Sequence, residues 1–169
     1  MNRPEPTEYA PFYAGYISHV PEGDILSILE QGVQTTSSLL KDLSPSQADF
    51  RYAPGKWSIK EVLGHITDAE RIFAYRALRF SRGDQTPVPG FEQEGYIQHA
   101  NFAARTLNDL IAEFETVRQS TLFLFRNLDD AAWQRRGTAS GAEVSVRALA
   151  YITAGHEIHH REILRTRYL

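Results

Sequence analysis

The chain contains no cysteine, which excludes disulfides, thiolate metal ligands and a protein-borne sulfur nucleophile together. Any metal it holds must be bound through His, Asp or Glu. Excess positive charge is also missing. With 18 Lys and Arg against 21 Asp and Glu, the formal net charge is −3, and no basic surplus is present to displace counterions from a nucleic acid or to grip an anionic membrane. No nucleic acid and no membrane partner is expected. No apolar run approaches the length that spans a bilayer. The opening residues MNRPEPTEYAPFYAGY place prolines and acids where a secretory signal needs a basic start and an apolar stretch, so a cytoplasmic protein is expected. Convincing strand patterns, internal repeats and low-complexity segments are lacking as well. What is present is a chain of 169 residues, 42% hydrophobic and 11% aromatic, which suffices for one domain with a real core.

Residues 1–21 are rich in Pro and Tyr and read as an extended arm laid over a domain that occupies residues 22–169. From Asp24 to about Leu43 the apolar positions Ile25, Leu26, Ile28, Leu29, Val33, Leu39, Leu40 and Leu43 fall at roughly helical spacing. Ser58, three residues before Glu61, forms a capping box that starts a second helix running to about Phe80. A third covers about Leu107 to Asn127, with Ile97 as its earliest start. After a short turn, LDDAAW, and the loop RRGTASGAE, Ser145 caps a fourth helix running from Val146 to near the end. Four amphipathic helices predict an all-α four-helix bundle. The roughly 25 residues between helices two and three exceed the usual helix–helix loop and allow a crossover along the bundle, so that these two helices run parallel.

The fourth helix carries HEIHHREIL (His156 to Leu164), which contains H-E-x-x-H, a spacing used by zinc proteases. Relative to His156, Leu149, Ile152 and Ile163 lie within about 40° around the helix, and His160 lies about 40° to the other side. Both histidines therefore sit in the core stripe, while His159 falls about 60° off, toward its edge. One such histidine is most simply a satisfied core residue, but two on one apolar stripe need a reason. A protease would take a third ligand from downstream, and only nine residues follow His160. A ferritin-like di-iron centre needs a second E-x-x-H motif, and Glu157-x-x-His160 is the only copy. The third ligand is therefore expected upstream, with His65 on the inner shoulder of helix two the best candidate and His19 and His99 its competitors. Glu61 and Asp68 stand one turn either side of His65, where a carboxylate could orient a ligating imidazole, although pairing with surface cations is the simpler role for each. The Pro-Gly punctuation of the crossover makes Phe91 and Glu92 candidates for the rim of a pocket.

The stretches GKWSIKEVLGHITDAERIF, LRFSRGD, RGDQTPVPGFEQEGY and RALAYITAGHEIHHREIL resemble the DinB/YfiT-like family of metal-dependent enzymes over most of residues 25–165. The resemblance implies an up-down-down-up bundle, a divalent ion such as zinc or nickel, and a homodimer. It also implies metal ligands at His65, His156 and His160. The family includes transferases and isomerases that use low-molecular-weight thiols. Three nitrogen ligands leave coordination positions open, as catalytic metals do. The expected activity is therefore a thiol-dependent transfer acting on a small-molecule substrate, the reacting group being a metal-bound water or the thiol of a cosubstrate. The alternatives are a metal-dependent hydrolase, or a non-catalytic metal-binding stress or interaction protein.

Overall fold

The computed structural model of the protein describes residues 2–169. Its N-terminal segment corrects the expectation of an extended arm. Two 3-10 turns, Pro6–Glu8 and Pro11–Tyr13, lead into a short helix α1 (Ala14–Ser18). Each turn begins at a proline, whose fixed φ suits the first helical position and whose missing N–H costs nothing there. The segment does lie over the domain. Ile17 and Val20 are buried, and the Arg3 guanidinium donates to the carbonyls of both residues at 2.7 Å. Glu8 is buried against Ser145, whose hydroxyl donates to it at 2.7 Å, and against Arg147. Burial alone would raise the Glu8 pKa, but the hydrogen bonds from Arg147 and Ser145 outweigh it and hold the carboxyl below its ordinary range.

The helices follow their caps. Asp24 accepts from the Ser27 amide at 2.9 Å and opens α2 (Ile25–Leu40); Ser44 opens the short α3 (Pro45–Ala48). The predicted box at Ser58 forms, with the Ser58 amide donating to Glu61 at 2.7 Å and the Glu61 amide donating to Ser58 Oγ at 3.3 Å, and α4 runs Ile59–Ser81. Within the crossover lies a separate helix, α5 (Gln93–His99). Thr106 then caps α6 (Leu107–Arg126), and α7 (Asp130–Gln134) occupies the expected LDDAAW turn.

The expected loop RRGTASGAE is instead a β-hairpin, β1 (Arg136–Ala139) with β2 (Ala142–Ser145), in the register Arg136↔Ser145 to Ala139↔Ala142. Its two-residue turn places Ser140 and Gly141 at φ of 53° and 79°, the pair of left-handed conformations that matches hairpin twist. Strands of four residues are too short for alternation to register in the sequence. The hairpin anchors the crossover: the Val88 amide donates to the Thr138 carbonyl at 2.9 Å, and the Ser140 amide donates to the Val88 carbonyl at 3.0 Å. Ser145 ends β2 and caps α8 (Val146–Ile163), which continues into a turn of π-helix at Leu164–Tyr168.

Contacts along the long helices set their directions. Lys60 meets Ala103 while Arg71 meets Glu113, so α4 and α6 run parallel. Gly32 meets Glu157 while Thr36 meets Arg161, so α2 and α8 are parallel as well. Trp57, just before α4, accepts from the hydroxyl of Tyr168, just after α8, which makes those two helices antiparallel. The bundle is up-down-down-up. Two apolar clusters fill it: one around Leu29, Phe73, Phe80, Phe125 and Ile152, the other around Leu40, Ile59, Leu63, Leu110 and Phe114. No helix among the described residues is long and apolar enough to cross a membrane.

Candidate metal centre

Helices α4 and α8 face each other with His65 on one and His156 and His160, one turn apart, on the other. One nitrogen from each of the three lies within 4.8 Å of the others. His65 Nε2 and His156 Nε2 are 3.0 Å apart, so one ring must donate to the other when no cation lies between them. His65 and His156 are 4% and 5% exposed, and His160 is half-buried. Burial pushes the His65 pKa down to about 4. It also pushes His160 down to about 3, with His65 and His159 adding to the effect. His156 lies well below its ordinary value, through burial and then its histidine neighbours. All three rings are therefore neutral near pH 7 and present lone pairs rather than charge.

Apart from the His65–His156 contact, no hydrogen bond engages these rings among the described residues. Three neutral imidazoles, two buried and one half-buried, with converging nitrogens and no competing carboxylate form a donor set that suits a borderline divalent ion. Aromatic rings surround them. Trp57 lies 4.8 Å from His65 between ring centroids, Tyr16 5.3 Å from His156, and Phe73 5.7 Å from His156.

Beside the triad is a cavity of 460 Å³, walled by His65 and His156, by Tyr16 from α1, by Ser140 from the hairpin turn, and by the expected rim residues Phe91 and Glu92. The Glu92 carboxylate caps α5, accepting from the Glu94 and Gly95 amides, which hold its pKa below the ordinary value.

Other sequence candidates fall elsewhere. Glu61 is occupied by Arg51, at 2.5 and 2.8 Å, and by the Ser58 amide. Asp68 accepts from Arg71 at 3.2 Å. Neither hydrogen-bonds a triad histidine, because a guanidinium or helix-start amide lies closer on each flank of α4. His99 is on α5 with its Nδ1 2.7 Å from the Gly95 carbonyl, and His19 packs on His159 at 5.7 Å between centroids. Trp57, just ahead of the Ser58 cap, is only partly buried; its indole donates to Glu94 at 3.2 Å and its ring faces His65.

Glu157, the acid inside H-E-x-x-H, is 1% exposed and points away from the triad. It accepts from Thr36 at 2.6 Å, Arg161 at 2.6 Å and Arg118 at 3.0 Å, a commitment incompatible with the general-base role of the protease motif. Arg118, 0% exposed, also grips both oxygens of Glu70, at 2.8 and 2.9 Å, and the Leu29 carbonyl at 2.6 Å. One guanidinium thereby touches α2, α4 and α8 from its place on α6. Burial opposes its charge, but Glu70 and Glu157 more than compensate and raise its pKa. Local spacing did not reveal this network. A charged residue one helical turn from the apolar Phe114 and Leu122 is its one signal.

The arm meets α8 beside the triad. A Cβ at Gly155 would collide with the Tyr16 carbonyl, and backbone cannot swing aside as a side chain can. Gly155→Ala is therefore expected to cost about 1–3 kcal/mol and to lift α1 from α8. Thermal denaturation and faster proteolysis within residues 9–20 check this; unchanged melting together with unchanged cleavage contradicts it.

The profile of the DinB superfamily matches residues 28–164. No curated protein matches the chain. Among solved structures, YfiT from Bacillus subtilis is similar with a TM-score of 0.75 at 17% identity, over 94% of this chain and 93% of that one. It was described as "a probable metal-dependent hydrolase with an unusual four-helix bundle topology". The mycothiol-dependent maleylpyruvate isomerase is similar with a TM-score of 0.65 at 16% identity, over 90% of this chain and 62% of the isomerase. At such identities the likeness establishes the shared bundle fold.

Proposed function

The chain belongs to the DinB superfamily, and from that premise we propose that it is a metal-dependent enzyme for small molecules in which His65, His156 and His160 hold one divalent ion, zinc or nickel. The observation that carries this reading is the convergence of three neutral imidazole nitrogens, those of His65 and His156 belonging to residues that wall a substrate-sized cavity. When bound, the ion supplies a Lewis acid able to polarise an oxygen or to lower the pKa of a coordinated thiol. The chain's own residues do the rest. The imidazoles stay unprotonated because they are buried, Phe73 and Tyr16 crowd His156 and limit water, and Phe91 with Glu92 offers a mouth.

Thiol-dependent transfer is the first reading. The chain has no cysteine, so a sulfur nucleophile would come from a low-molecular-weight cosubstrate, and a structurally similar enzyme is mycothiol-dependent. Hydrolysis is the second, favoured by the description given to YfiT. A cytoplasmic homodimer, with residues 1–21 covering the 22–169 bundle, belongs to the same proposal; the family resemblance supports the homodimer, and the burial of Ile17 and Val20 supports the covering segment.

Elemental analysis tests the site. His65→Ala, His156→Ala and His160→Ala should each lose the tightly held equivalent of metal, while His99→Ala and His159→Ala keep it. Retention by His65→Ala with loss in His99→Ala would assign the third ligand differently. For the reaction, cobalt-substituted protein should develop a sulfur-to-metal charge-transfer band with millimolar physiological thiols. An unchanged spectrum together with cleavage of an ester or amide selects hydrolysis.

A further inference from the structure

Two arginines of the bundle are almost completely buried, and they are provided for very differently. Arg118, described above, is met by two carboxylates. Arg76 on α4 is 2% exposed and pairs with none among the described residues. Its Nη2 donates to the Pro89 carbonyl at 3.1 Å and to Ser140 Oγ at 3.0 Å, and its Nε is buried without any partner. A guanidinium stays charged in any protein environment, and a buried charge lacking a counter-ion needs an explanation.

Its position supplies one. Ala69 and Phe73 line the cavity beside the triad, and Arg76 lies seven and three residues beyond them on the same face of α4. Ser140 also lines that cavity. Because Ser140 Oγ already accepts from Arg76, its own hydroxyl hydrogen is free to be donated to a ligand. The turn that presents it is pinned by its amide to Val88. Glu92, the acidic residue of the same wall, is engaged by two amides of α5 and does not pair with Arg76. The other walls include Phe12, Tyr13, Phe73 and Phe91.

We propose that Arg76 and Ser140 form a carboxylate-recognising subsite of this cavity, which takes a small carboxylate with an apolar or aromatic body. The ligand's oxygen accepts from the Ser140 hydroxyl, with the guanidinium behind it as counter-ion. Such charge-assisted contacts are strengthened by the low dielectric of a buried site. This deepens the proposed function by naming its substrate class. It rests on that reading's substrate cavity but not on the metal.

The probe is 3-phenylpropionate, with 3-phenylpropanamide as its uncharged counterpart, titrated calorimetrically into metal-depleted and metal-loaded protein. The acid is expected to bind at least about tenfold tighter than the amide in both metal states, and Arg76→Gln should abolish the preference. Since Arg76 also ties down the crossover, so that its replacement can cost the fold, the unaltered protein is read directly as well: the Arg76 Nε–H resonance should shift with the acid and stay put with the amide. Equal binding of acid and amide to metal-depleted protein overturns the proposal, as does a folded Arg76→Gln that keeps the preference. A preference confined to metal-loaded protein overturns it too, because the anion then sits at the histidines. If the triad fails to bind metal while the preference persists, the subsite stands and the metal reading falls.

Discussion

Arg118→Leu is expected to destabilise the protein by about 3–5 kcal/mol, the usual cost of leaving buried charges without their partner. The two stranded groups are Glu70 and Glu157, both almost wholly buried, and the Leu29 carbonyl loses its 2.6 Å donor as well. Glu157 keeps Thr36 and Arg161, so Glu70, whose hydrogen bonds come only from Arg118 among the described residues, carries most of the loss. Urea denaturation measures this directly, and the melting temperature should fall by roughly 10 °C for a domain of this size. The triple variant Glu70→Leu, Arg118→Leu, Glu157→Met should recover most of the difference, since replacing a buried ionic set by apolar groups of similar volume is often neutral. A loss below about 1 kcal/mol in the single variant would mean that water reaches the two carboxylates.

The network also explains which parts of this protein could be read in its sequence. The Ser58–Glu61 box and the Ser145 cap are contacts across three residues, and sequence spacing decides them. The inward direction of His156 and His160 follows from helical periodicity in the same way. His65 was harder, because its partners lie 91 or more residues away; an apolar stripe on α4 and the resemblance to a family pointed to it. Where competition among long-range partners decides, spacing misleads. Glu61 and Asp68 have the right offset from His65, yet Arg51 and Arg71 hold them. Arg118 reaches Glu70 and Glu157 across 48 and 39 residues, and Arg76 reaches Ser140 across 64. The hairpin and the turns within the arm escape a sequence reading for a different reason. Four-residue strands and three-residue turns are too short to show a period, and the prolines that suggested extended chain stand where helical turns begin.

The triad makes metal-free protein sensitive to mild acid in a window where carboxylates contribute little. An unfolded histidine titrates near pH 6.5, whereas burial holds folded His65 at about 4 and His160 at about 3, with His156 also far below its ordinary value. Between those limits the unfolded chain binds protons that the folded chain does not, so stability is fully present above about pH 6.5 and is lost as the pH falls toward the folded values. From pH 7.5 to 5.5 each group should contribute a loss of about 1.4 kcal/mol, or about 4 kcal/mol for the three. The depressed carboxylates, Glu8 among them, lose their contribution only lower, near and below the ordinary carboxylate range. Replacing His65 by Phe should remove about a third of the slope. Excess zinc adds stability that grows with the logarithm of its concentration. Because the folded imidazoles remain unprotonated throughout, the gap between zinc-loaded and metal-free protein should be nearly the same at pH 5.5 as at 7.5. Urea denaturation of both forms across this range checks the sign. A zinc gap that collapses between pH 7 and 6 would show that the folded histidines titrate near their ordinary value, and that the triad is wetter than its packing against Trp57, Phe73 and Tyr16 implies.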